Sequence, residues 1–287
     1  MQVPEDDLAI QELIVRLGAH RWWIIASIGL FAAAFTAVAF TMTPVYRAAA
    51  ILAPASPDRD SAVMGFAASS LGGLASGLGI GPKDSQTEEA LAVLRSREFT
   101  ERFLNESQLM PKLFPREWDS ATRSWKARVK NPPTLSKGYK YFDREVRSVI
   151  PDRKTGLVSI QVDWTDRNDA ADWANELVRR LNEEMRARAI ARADASTNFL
   201  ESELSATSSV EARDAIARLM EAQVKERMIA HVTHDYSFRV VGKAMVSDKD
   251  DPIRPDKRLM ALAGAILGLF VGVIVALILE SRRARSR

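Results

Sequence analysis

The sequence predicts an α+β membrane protein, in which two transmembrane helices flank an α/β base that carries a long projecting helical hairpin. Three observations predict it. Trp22 to Met42 and Leu259 to Leu279 each run about 21 residues without a charge, and at about 1.5 Å per residue either one reaches about 31 Å, the hydrocarbon thickness of a bilayer. Between them, Val45 to Ala53, Gly156 to Thr165 and Ser237 to Val246 read as strands. A single helical pattern then extends from Asn168 to Ser205, too long for so small a domain to cover.

The chain of 287 residues is 47% hydrophobic, an ordinary value until its concentration in the two terminal blocks is noticed. Its net charge of +3 lies largely at the flanks of those blocks, which argues against a nucleic-acid groove. It has no cysteine, which excludes disulfides and thiolate metal sites and suits a bacterial envelope protein entering an oxidising space.

Trp22 to Met42 competes with a cleaved signal peptide, since Ala37-Val38-Ala39 offers a small-x-small site. Its apolar run exceeds the usual signal core, and the leader carries Glu5, Asp6, Asp7 and Glu12, so a retained span is the reading taken. Arg282, Arg283, Arg285 and Arg287, with Arg16 and Arg21, favour cytoplasmic termini, while Arg254, Lys257 and Arg258 count the other way. The expected layout is a cytoplasmic leader (1–21), a first span (22–42), a periplasmic α/β and long-helix domain (43–258), a second span (259–279) and a cytoplasmic tail (280–287) in the bacterial inner membrane.

In order, the leader is either an amphipathic helix on the inner membrane surface, built on Leu8, Ile10, Leu13, Ile14 and Leu17, or a solvated tail. Gly29, Ala33 and Ala37 form a small-residue row on the first span, and Gly264, Gly268 and Gly272, continued by Ala276, form another on the second. Small residues let helix backbones approach closely in lipid, so the two rows are expected to pack together, within or between subunits. The strand at Val45 leads to a segment from Gly65 to Gly81 rich in Gly, Ala and Ser, either a loop or a stretch ordered only by contact. Glu88 to Leu109 reads as one packed helix capped by Ser85 or Thr87, and Lys112 to Pro133 as mixed and irregular in part, with Trp118 and Trp125 as packing anchors rather than sugar platforms. Gly138 to Val149 reads as a further helix.

After the alternating strand at Gly156, Asp166 is placed to cap the long helix, whose stripe Ala170, Trp173, Ala174, Leu177, Leu181 and Met185 opposes Glu–Arg pairs at helical spacing. Ser208-Ser209-Val210-Glu211 is a capping box, so a second helix returns alongside as a hairpin with its tip near Thr207. Before the second span, Pro252, Pro255 and Lys257 form a membrane-proximal proline motif that keeps the helix from starting early.

Catalytic chemistry finds little support. His231 and His234 with Asp235 have ligand spacing but no second cluster, and three histidines leave scant material for a triad. Lys83 sits between Pro82 and Asp84, outside any phosphate-loop pattern. The charge run Arg179 to Arg192 reads as a solvated helix face rather than a polyanion site. No catalytic, cofactor-binding or metal-ligating residue is predicted.

Taken in order, the span, the strand, the glycine-rich stretch, Leu94-Arg95-Ser96-Arg97, Lys154-Thr155-Gly156-Leu157-Val158, the very long helix, Tyr236-Ser237-Phe238-Arg239-Val240 and Pro252-x-x-Pro255-x-Lys257 before a glycine-laddered span resemble the Wzz-type polysaccharide co-polymerases. The resemblance covers nearly the whole chain and departs from the kinase-bearing branch, because no nucleotide-binding domain or tyrosine cluster follows the second span. It implies a non-enzymatic, chain-length-determining protein of the inner membrane. Its expected partners are further copies of itself in a large ring, a Wzy-type polymerase, membrane lipid and the growing glycan. It implies no cofactor and no nucleic acid. An adaptor for polysaccharide export is the alternative, and a two-span sensor a more distant one.

Overall fold

An uncharged block in a bilayer has to satisfy its own backbone, and both terminal blocks are helical in this computed structural model, which describes residues 21–55, 82–127 and 129–285. Expectations for the leader before Arg21 and for the glycine-rich segment 65–81 fall outside the described residues. The chain divides into two units, Met1–Tyr46 with Asp248–Arg287, and Arg47–Ser247. In the first unit, α1 (Arg21–Thr41) and α8 (Lys257–Arg285) are both long and apolar enough to cross a membrane. α8 starts before the apolar block and continues past it, because nothing in Lys257 to Arg258 or Ser281 to Arg285 breaks a helix.

The second unit is built on a four-stranded sheet in the order β4 (Arg147–Pro151), β5 (Val158–Trp164), β1 (Tyr46–Pro54), β6 (Phe238–Gly242). β4 pairs antiparallel with β5, and β1 antiparallel with β6 through a register irregularity at Ile51 and Leu52. Alternation decides which face is covered: Ala48, Ala50 and Leu52 of β1 and Val158, Ile160 and Val162 of β5 are buried, while Arg47 and Ile51 are exposed. The covered face meets α3 (Arg97–Glu106) and the first half of α6 (Arg167–Ala206) in one core, where Phe103, Phe142, Trp173 and Trp164 form a chain of ring contacts 4.9 to 6.4 Å apart.

Two local expectations are corrected. The helix read from Glu88 to Leu109 is two helices, α2 (Pro82–Arg95) and α3, because extended Ser96 stops the first and caps the second, accepting the Phe99 N–H at 3.2 Å. The stretch Gly138 to Val149 is not one helix either. It comprises the end of α5 (Leu135–Tyr141), a π-turn over Phe142–Val146, and then β4, which pairs with β5. The irregular region holds a short helix α4 (Met110–Leu113) and a minimal hairpin of β2 (Trp118–Asp119) and β3 (Ser124–Trp125), in which the two tryptophans pack edge to face at 5.0 Å.

α6 has 40 residues, roughly 60 Å of helix, and Asp166 caps it by accepting the N–H groups of Asn168 and Asp169 at 2.8 and 3.1 Å. α7 (Val210–Val232) returns along it, capped by Ser209, whose hydroxyl also donates to Glu211 at 2.7 Å. The two halves of this hairpin differ sharply. Burial on α6 ends at Ala193 and on α7 is confined to Ala230, so no residue from Asp194 to Ile229 is buried, although the stretch includes Phe199, Leu200, Leu219, Val224 and Met228.

Candidate functional site

The features of the chain that bear on function are a seam between the apolar helices, the proline segment that leads into it, and the fastening of the long hairpin's base. In the seam, Gly264, Gly268, Gly272 and Ala276 are the buried positions of α8 among the described residues. A Cβ built at Gly264 would lie 2.7 Å from Phe31 O and 3.0 Å from Ala32 Cα, and one at Gly268 would lie 2.7 Å from Ser27 O and 2.8 Å from Ile28 Cα. At Gly272 it would meet Ser27 Oγ and come within 3.0 Å of Ile24 Cα. Glycine is therefore required by backbone on backbone contact rather than by turn geometry. As the numbers on α8 rise those on α1 fall, so the two helices run antiparallel. Ser27 ties them with a hydroxyl donated to Gly268 O at 2.7 Å.

The partner face differs from the expected one. Within the chain the glycine row meets Ile24, Ser27, Ile28, Phe31, Ala32 and Phe35, whereas Gly29, Ala33 and Ala37 are exposed and a Cβ at Gly29 would have nothing within 4 Å. On this face too the close approach is to backbone, at Phe31 O, Ala32 Cα, Ser27 O, Ile28 Cα and Ile24 Cα. The sequence showed two small rows but carried no signal that the seam would use only one.

The proline segment is held by backbone pairing. Val45 donates to Arg254 O at 3.0 Å, and Ile253 donates to Val45 O at 2.9 Å, so Pro252 and Pro255 flank a short antiparallel bridge to the residues that follow α1. Tyr46 adds its hydroxyl to Lys249 O at 3.1 Å. Asp256 caps α8 by accepting the Arg258 and Leu259 N–H groups, and the Lys257 ammonium lies 4.6 Å from the Phe40 ring centroid.

Two asparagines fasten the hairpin's base, and sequence reasoning missed both. Asn182, 4% exposed, accepts the N–H groups of Ser237 and Phe238 at 3.0 and 2.9 Å and donates to Phe238 O at 2.8 Å. Asn175, two helical turns earlier, exchanges the same kind of pair with Ala244 N and O. One face of α6 thus grips the extended segment that contains β6. The only available signal was the seven-residue spacing of two amides on an otherwise apolar stripe.

Arg147 was also missed. Its guanidinium donates to Leu94 O at 2.6 Å, Thr100 Oγ1 at 2.9 Å and Asp143 Oδ1 at 2.5 Å, which gives the Leu94-Arg95-Ser96-Arg97 stretch its structural meaning: Leu94 and Ser96 form the break that Arg147 fills, and Arg95 donates to Val149 O. Burial pulls this guanidinium below its ordinary value, with Asp143 opposing. On the sheet's other face, the Arg47 guanidinium donates to both oxygens of Asp163 at 2.7 Å, and these hydrogen bonds to the carboxylate raise the Arg47 value.

Along α6, Glu176 pairs with Arg179 and Arg180, and Arg179 also reaches Glu183. Arg180 further pairs with Glu106, and Glu184 bridges Arg188 and Arg102. Burial, helped by the Glu226 carboxylate 2.6 Å away, pushes the Tyr236 phenol up. Among the described residues, no group of three His, Asp or Glu side chains could hold a metal, His231, His234 and Asp235 included.

No curated protein matches the chain. Among solved structures, a full-length bacterial polysaccharide co-polymerase is similar at 11% identity and a TM-score of 0.41, covering 94% of this chain and 97% of that one. A fragment of WzzB, a polysaccharide co-polymerase from Salmonella Typhimurium, is similar at 12% identity and a TM-score of 0.26, covering 72% of this chain and 98% of that one. Residues 6–107, which take in α1, β1, α2 and α3, match the model of the Wzz family, described as chain length determinant protein, and this match bears out the family resemblance read from the sequence.

Proposed function

We propose that the protein is a non-enzymatic, oligomeric regulator of polysaccharide chain length, acting beside a Wzy-type polymerase on O-antigen, capsule or exopolysaccharide. The observation that carries this reading is the match of residues 6–107 to the chain length determinant family. In this reading α1 and α8 are inner-membrane spans covering 22–42 and 259–279, both termini are cytoplasmic, and residues 43–258 form the periplasmic domain. Positive charge at Arg282 to Arg287 favours that orientation. The proline motif at Pro252, Pro255 and Lys257 and the glycine row at Gly264, Gly268 and Gly272 are the residues we assign to holding the membrane part.

The hairpin supports self-association into a ring. Its outer half buries nothing between Asp194 and Ile229 yet exposes Phe199, Val210, Leu219 and Met228, and an amphipathic helix pair of that length needs neighbours to cover it. Further copies of the chain are the partner we assign, with the growing glycan and membrane lipid beyond them. The test is a gel of surface polysaccharide from cells with the gene deleted and then restored. Deletion should replace a modal ladder by an unregulated distribution, and restoration should return it. Polymer made but retained inside the cell would overturn the reading in favour of an export adaptor.

A further inference from the structure

Arg147 offers more donors than the fold uses. Its side chain is 1% exposed, and Asp143, the carboxylate paired with it, is 41% exposed. Both hydrogens of Nη1 are spent, on Leu94 O and Thr100 Oγ1, and one of Nη2 goes to Asp143 Oδ1. The second Nη2 hydrogen and the Nε hydrogen have no acceptor among the described residues. A neutral donor would serve Leu94 O and Thr100 equally well, whereas a buried cation is costly unless it is fully paired. Burial above all, and the Arg95 charge with it, work against the Arg147 cation, and Asp143 offsets them only in part.

These three residues, with Ser148 and Val149, line one polar cavity of about 290 Å³. That is close to the lower end of small-ligand pockets, and far more than the roughly 30 Å³ of one ordered water. Arg95 is held at its wall by donating to Val149 O at 3.0 Å. β4, which supplies Arg147, Ser148 and Val149, is an outer strand of the four-stranded sheet, so no further strand closes the cavity. Two guanidinium groups against one carboxylate leave the lining one positive charge in excess. Guanidinium forks match the paired oxygens of a carboxylate or a phosphate.

We infer that this cavity binds a small oxyanion, carboxylate or phosphate, between the guanidinium groups of Arg95 and Arg147. The inference is independent of the chain-length reading, because it rests on the charge balance of one cavity. Isothermal titration of the full chain in detergent, in a phosphate-free buffer, tests it with glucuronate, inorganic phosphate and glucose. Glucose should give no binding heat. Binding of glucuronate alone assigns a carboxylate, of phosphate alone a phosphate, and of both the oxyanion chemistry they share. Binding of neither, or of glucose equally, would overturn the inference. Arg95→Gln should weaken the binding by about tenfold, the loss of one charge-assisted hydrogen bond. Arg97→Gln, in the first turn of α3 and paired with Glu101, should leave it unchanged. Asp143→Asn keeps an oxygen for Arg147 but removes the cavity's negative charge, so it should tighten binding severalfold. Equal weakening by Arg95→Gln and Arg97→Gln would reduce the binding to general surface charge and overturn the inference, as would an unchanged affinity in Arg95→Gln or Asp143→Asn.

Discussion

The chain contains two antiparallel helix pairs that solve the same problem in opposite ways. α1 and α8 join through absent side chains: Gly264, Gly268 and Gly272 bring backbone to backbone, and the Ser27 hydroxyl donates across the seam to Gly268 O. α6 and α7 join through side chains, with Arg227 reaching Asp194 at 3.0 Å between them and the lower half of α6 buried in a core. The difference follows the solvent. In lipid the apolar surface of a helix has nothing to gain by leaving its surroundings, so close approach and dispersion decide the pairing. In water, apolar burial decides it, and the outer hairpin, which buries little, is the part left asking for cover.

The largest effect should therefore come from filling a hole in the lipid pair. At Gly268 the nearest atoms to a new Cβ are backbone, so no rotamer change relieves the clash and the helices have to separate. Gly268→Leu should cost about 3 kcal/mol of helix pairing. Gly29→Leu, with nothing within 4 Å, should leave it intact. Thermal unfolding of both variants in detergent measures the contrast. If the two variants unfold alike, the seam is not what holds α1 to α8.

The next effect belongs to the base of the aqueous pair. Asn182→Ala removes three hydrogen bonds and strands the buried N–H groups of Ser237 and Phe238, an expected loss of about 2 to 3 kcal/mol. Asn175→Ala should cost about 1 kcal/mol, because its two bonds to Ala244 are only partly buried. Denaturant unfolding of the full chain separates them, and equal losses would mean that burial does not set the strength of the clamp.

What was legible in the sequence was whatever repeats along one element. Charge-free length marked α1 and α8, alternation marked β5, and the stripe from Ala170 to Met185 marked α6 together with its Asp166 cap. What was hidden depends on a partner distant in the chain. Arg147 lies in a strand because β5 pairs with it and because Leu94 O and Thr100 accept its donors, neither of which its own neighbourhood reveals. Ser96 looks like any helical serine until its hydroxyl is seen to cap Phe99. The glycine row announced a close approach, but which face of α1 it meets within the chain is set by the other helix, and Gly29, Ala33 and Ala37 gave no hint that they lay away from it.

The smallest effect tests whether the charges on α6 contribute to stability at all. The Arg179 hydrogen bond, with Arg180 behind it, holds the Glu176 carboxyl down to about 2 from an ordinary 4.5. A carboxyl with a depressed value in the folded state stabilises the fold fully above its unfolded value and loses that contribution as pH falls through the folded one. The loss should thus fall between about pH 4.5 and about pH 2. Because the Arg179 side chain is 53% exposed, solvent screening should hold the contribution under about 1 kcal/mol. Unfolding of the full chain in detergent across that window should show a slightly steeper decline for the native protein than for Glu176→Gln. Identical slopes would mean that the pairs along α6 keep a long exposed helix soluble without stabilising it, leaving the asparagine clamp and the buried stripe to hold the hairpin's base.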